Sequence, residues 1–138
     1  MQTHIGYLIK AINDKIKVNA DADLSSHNLT MAQSRVLVYL LHQNGKATQK
    51  QIEDYLEVSH PTVVGIVSRM EKNGFLTNKV DQKDHRNRII ELTSYAYTTG
   101  KDMDKVVGKM EKDLLSPLNE SQIKELTKLL ELIYQKVK

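Results

Sequence analysis

Apolar residues recur at Ile5, Leu8, Ile9, Ile12 and Ile16, the three- and four-residue steps of a helix with one apolar face. The spacing predicts a helix over residues 5 to about 18, broken by the polar stretch 19–28. Apolar positions resume at Val36, Leu37, Tyr39, Leu40 and Leu41. Ahead of them stand Thr30 and Gln33, whose side chains can each satisfy the other's free amide, so a second helix is expected over 31–42, ended by Asn44-Gly45. Thr48 with Gln51 repeats that box and opens a short helix through Leu56. Ser59 is the next cap, and Pro61 falls in the first turn, where a missing N–H costs little. Val63, Ile66, Val67 and Met70 then mark the buried stripe of a helix over 60–73, stopped by Gly74.

Residues 75–80 and 88–92 alternate as two strands, with 81–87 as a charged tip. After Thr93, another cap, residues 95–115 carry Met103, Val106, Val107, Met110 and Leu114 at helical spacing. Ser116-Pro117 interrupts, and Asn119 with Gln122 forms a third box. The last helix places Ile123, Leu126, Leu130, Ile133 and Val137 on a seam that wants a partner helix. The fold class expected is therefore mainly α with a small β-wing: a winged helix-turn-helix with N- and C-terminal dimerisation helices. As one domain over 1–138, it would hold its reader in 30–93 and its dimerisation helices in 1–20 and 94–138. A helix-turn-helix followed by a basic hairpin fits double-stranded DNA, the helix in the major groove and the hairpin tip over the neighbouring backbone.

Composition alters this little. A formal charge of +3 permits nucleic-acid binding without demanding it. Residues 46–92 hold eight Lys/Arg against seven Asp/Glu, so placement matters more than the total: four of the eight cations lie between Lys79 and Arg88. With no Cys, disulfides, thiolate ligands and cysteine switches are excluded. The start, MQTHIGYLIKAINDK, lacks a basic n-region and a small-residue cleavage site, and no apolar run approaches the roughly 18 residues of a membrane span. A cytoplasmic location without membrane contact is the default expectation. No nucleophile elbow, P-loop or dinucleotide fingerprint is present, which argues against an enzyme. His4, His27, His42, His60 and His85 include no pair at zinc-ligand spacing on one helix, so neither metal nor cofactor is expected, although a site assembled in space around His42 stays open.

The sequence resembles the MarR family, the multiple antibiotic resistance regulators. The resemblance rests on Leu29-Thr30 with Gln33-Ser34-Arg35-Val36-Leu37, then Ser59-x-x-Thr62-Val63 leading to Ser68-Arg69-Met70-Glu71-Lys72-Asn73-Gly74-Phe75. The wing pattern Asp81-x-x-Asp84-His85-Arg86, closing at Leu92-Thr93, completes it, and the terminal helices extend it over nearly the whole chain. The resemblance implies a homodimer on a pseudo-palindromic operator, usually a repressor, released by a small and often phenolic ligand. A winged-helix protein adaptor without DNA binding is the competing expectation.

For DNA, the candidate residues are Ser59, His60, Thr62, Gly65, Ser68 and Arg69 on the recognition helix. Lys83, Asp84, Arg86 and Arg88 on the wing join them, with Gln49 and Lys50 on the preceding helix. Hydroxyls and amides at the helix start would hold phosphate, while side chains further along reach base edges. The resemblance places Arg86 in the minor groove, where a narrow A/T tract attracts a cation. Asp84 could fix its aim, and Lys83 and Arg88 would supply phosphate contacts. Family members commonly carry a polar or basic residue near Gly65; here Val64 and Gly65 stand instead, which suggests close approach of the helix and contact of Val64 with thymine methyls. For a small aromatic or anionic effector, the candidates are Tyr7, His27, Arg35, Tyr39 and Tyr95, with Arg35 able to meet a carboxylate.

Overall fold

The computed structural model describes residues 4–138; the first three residues of the segment 1–20 expected in dimerisation lie outside the described residues. The element order is α1 (Ile5–Leu24), a 3-10 turn (Ser25–His27), α2 (Met31–His42), β1 (Lys46–Thr48), α3 (Gln49–Leu56), α4 (His60–Lys72), β2 (Leu76–Val80), β3 (Arg88–Leu92), α5 (Ser94–Leu114) and α6 (Glu120–Val137). All three capping boxes form, at Thr30/Gln33, Thr48/Gln51 and Asn119/Gln122. Ser59 caps α4 with Pro61 in its first turn.

Two departures from the sequence expectations have local causes. First, α1 runs six residues past Val18, because the polar stretch hides a continued stripe: Ala20 and Leu24 are fully buried, four and eight residues beyond Ile16. Asp21 then ties the helix to the next element, its carboxylate accepting from the Met31 amide at 2.8 Å. Second, the sheet has three strands in the order β1-β3-β2, all antiparallel. Ala47 of β1 pairs with Ile90, and Asn78 of β2 pairs with Ile90 from the other side.

Gly45 (φ +83°) closes the tight turn between α2 and β1. Its left-handed backbone disfavours any side chain there, and a Cβ would also have to displace the hydroxyl end of Tyr97. Its carbonyl accepts from Leu92 at 2.8 Å, which fixes β3 to the end of α2. The core lies beneath this junction, where Leu37, Leu40, Ile52, Val63, Met70, Phe75, Ile90 and Met103 are buried.

The chain divides into two compact units, one running to Asp104 and the other spanning Lys105–Lys138. The first holds the whole helix-turn-helix and wing. In the second, Leu115, Leu118, Ile123 and Leu126 are half-buried around the turn into α6. Leu130, Ile133 and Val137 of the seam stay exposed, as do Ile5, Leu8, Ile9 and Ile12 on α1. No described helix is long and apolar enough to cross a membrane.

Candidate nucleic-acid interface

α4 presents two faces. Val63, Ile66, Val67 and Met70 are buried against the domain, while His60, Thr62, Val64, Ser68 and Arg69 are exposed and Gly65 is half-exposed. At the entry to the helix, Ser59 Oγ accepts from the Thr62 amide at 3.3 Å and lies 2.8 Å from Thr62 Oγ1. This is a cap geometry with two hydroxyls at the helix's positive end.

His60 is held from α3. Its Nδ1 lies 2.7 Å from Glu53 Oε2, with the His60 side chain 65 % exposed and the Glu53 side chain only 13 %. Gln49 Nε2 donates to the same oxygen at 3.4 Å and stands 3.3 Å from His60 Nδ1. Gln49 is 6 % exposed, so the structure places it inside the α3–α4 junction rather than on the outer surface expected of a phosphate contact. Lys50 does face outward, paired with Asp54 at 3.1 Å; that hydrogen bond raises its pKa above the ordinary lysine value.

The wing tip is organised by two aspartates. Asp81 Oδ1 accepts from the Lys83 amide at 2.9 Å, shaping the turn. Asp84 takes Arg86 three ways: Oδ1 accepts from the Arg86 amide at 3.1 Å and from Nε at 3.0 Å, and Oδ2 accepts from a terminal guanidinium nitrogen at 3.1 Å. These hydrogen bonds hold the Asp84 carboxyl below its ordinary pKa and raise that of Arg86. The guanidinium is oriented yet free to change partners, because the Arg86 side chain is 90 % exposed. Lys83 is exposed, and Arg88 Nε donates to Asn78 Oδ1 across the hairpin at 2.9 Å.

Sequence reasoning missed Glu53 and Asn78. Glu53 precedes His60 by seven residues across a turn, where no helical periodicity links them. Asn78 meets Arg88 only through the register that pairs Val80 with Arg88. Of the effector candidates, Arg35 and Tyr39 stand four apart on α2, and the others lie on other elements. Tyr7 and Arg35 are exposed, and His27 is half-buried in the 3-10 turn. Tyr39 stacks on Tyr55 at 4.3 Å between ring centroids, and Tyr95 leans on Phe75 at 5.1 Å. Among the described residues, no group of three or more His, Asp or Glu side chains could hold a metal ion.

Comparison with known proteins agrees with this geometry. Residues 27–87 match the sequence model of the MarR family. The chain is 29 % identical over 132 residues to the HTH-type transcriptional regulator YwoH of Bacillus subtilis (strain 168), covering 94 % of this chain and 95 % of that one. It is 22 % identical over 128 residues to the HTH-type transcriptional repressor IacR of Pseudomonas putida, covering 93 % and 76 %. Among solved structures it is similar to S. aureus MepR in its DNA complex, with a TM-score of 0.91, 26 % identity and coverage of 99 % and 100 %. With the wing, the recognition helix and the flanking helices in this order, the chain is a winged-helix transcription regulator of MarR type.

Proposed function

We propose that the protein is a homodimeric repressor that binds a pseudo-palindromic operator and leaves it when a small ligand binds. The observation that carries the reading is the pairing of α4's exposed face with an arginine held ready at the wing tip. Both lie in one compact unit, so one body reads the major groove with its helix and the minor groove with Arg86. Ser59, Thr62, Ser68 and Arg69 serve the helix contacts, with Gly65 allowing close approach. Lys50, Lys83 and Arg88 serve phosphate contacts.

Dimerisation is supported by the apolar residues that α1 and α6 leave exposed in the single chain: Ile5, Leu8, Ile9 and Ile12 on one, Leu130, Ile133 and Val137 on the other. A second copy would cover them and set two readers on successive turns of DNA. Repression is supported by the likeness to IacR, a repressor. Ligand release is supported by Arg35 and Tyr39, which stand four apart on α2 and so share a face, an exposed cation beside aromatic surface suited to an aromatic anion.

Nuclease footprinting of DNA upstream of the protein's own gene tests this. The expected result is protection of two half-sites about 34 Å apart, centre to centre. Ile133→Glu should shift the protein from dimer to monomer in light scattering and abolish the paired footprint. A footprint of one half-site, unaffected by Ile133→Glu, would contradict the reading.

A further inference from the structure

The Glu53–His60 contact fixes more than the position of a ring. An ionised carboxylate only accepts hydrogen bonds, so the 2.7 Å contact requires a proton on His60 Nδ1. Gln49 converges on the same oxygen from the buried side, which keeps the carboxylate aimed at the ring. Nδ1 is therefore committed. Nε2 has no hydrogen-bond partner among the described residues, and the ring is on the first residue of the recognition helix, largely exposed. In the neutral ring, Nε2 carries a bare lone pair, which repels a phosphate oxygen. In the imidazolium, Nε2–H donates to that oxygen.

Building on the DNA reading above, we propose that Glu53 is a positioning residue that makes His60 a pH-dependent DNA contact: by holding the proton on Nδ1, it lets Nε2 grip the DNA backbone only when the ring is charged. Operator affinity then rises as pH falls, because binding takes up a proton. The groups around the ring fit this sign. From α3 come Glu53 and the Gln49 amide, while Lys50 and Asp54 of that helix are engaged with each other. Glu57 lies in the connecting turn. Arg35 and His42 of α2 and Lys79 of β2, on the other elements packed against α4, are at exposed positions. On α4 itself the next titratable group is Arg69, more than two turns away.

Glu53→Gln separates this from a purely structural role. An amide can donate to Nδ1, which permits the neutral ring to carry its proton on Nε2 and donate to phosphate at any pH. The probe is the duplex that the wild-type protein enriches from a random-sequence pool, titrated from pH 6 to pH 8 with wild type, Glu53→Gln, His60→Ala and Arg86→Ala. Wild-type affinity should fall about tenfold across that range, as for loss of one cationic contact. Glu53→Gln should flatten the profile while binding at least as well as wild type at pH 8. His60→Ala should be flat and weak throughout. Thermal unfolding of each variant at both pH values reports any change in folding. A wild-type slope retained in His60→Ala, or a Glu53→Gln profile that superimposes on wild type, would overturn the proposal while leaving the DNA reading intact if Arg86→Ala still weakens binding. A wild-type protein that enriches no duplex would overturn both.

Discussion

Gly65 sits in the middle of the outward face of α4, where an added methyl group would meet Arg69 at 3.8 Å, an ordinary contact. Nothing in the fold therefore demands glycine there, and a helix interior disfavours it by about 1 kcal/mol relative to alanine. The cost points to the surface that α4 meets. Gly65→Ala should raise unfolding stability by about 1 kcal/mol and weaken operator binding several-fold, checked by denaturant unfolding and DNA titration on one sample. Equal operator affinity in the two proteins would show that the helix backbone does not approach DNA closely. At this scale, the exposed face of α4 and the Asp84–Arg86 pairing were legible, because helical phase and turn chemistry are local. The minor-groove role of Arg86 is what the family resemblance implies. Gln49 was misplaced and Glu53 missed for one physical reason: both act across the α3–α4 turn, and a side chain's partner there depends on the angle between two helices, which no spacing rule encodes.

Among the elements, the wing is fastened to the rest by Thr93. Its hydroxyl donates to the Gly74 carbonyl at 2.5 Å and accepts from the Ala96 amide at 3.3 Å, while its own amide donates to the Phe75 carbonyl at 3.0 Å. One residue thus caps α5 and closes the base of the β2–β3 hairpin onto the end of α4. Thr93→Val keeps the shape and removes both hydroxyl bonds. It should lower stability by about 1–2 kcal/mol in denaturant unfolding. No measurable loss would mean that strand pairing alone holds the wing base. The helix starts were readable because a capping box lies within four residues of sequence. The end of α1 was not, because Ala20 and Leu24 continue its stripe through Asn19, Asp21 and Asp23. β1 was not readable either: three residues with only Ala47 buried form a strand because β3 offers an edge.

For the whole molecule, the order of elements was the most legible feature, since a helix-turn-helix, a charged hairpin and two flanking apolar helices admit few arrangements. The terminal helices explain why the chain exceeds the size of its reader, because their exposed apolar faces gain nothing in a lone copy. On the reading proposed above, the unit ending at Asp104 supplies the reader, and α1 and α6 each leave an apolar face for a second copy to cover. The central claim is that helix and wing read DNA together. Its most direct test is titration of wild type and Arg86→Ala against an operator duplex at several salt concentrations. The account predicts tight, salt-sensitive binding by wild type, and weaker binding by Arg86→Ala with a log–log salt slope shallower by about one. Identical affinity and slope for the two proteins would contradict it.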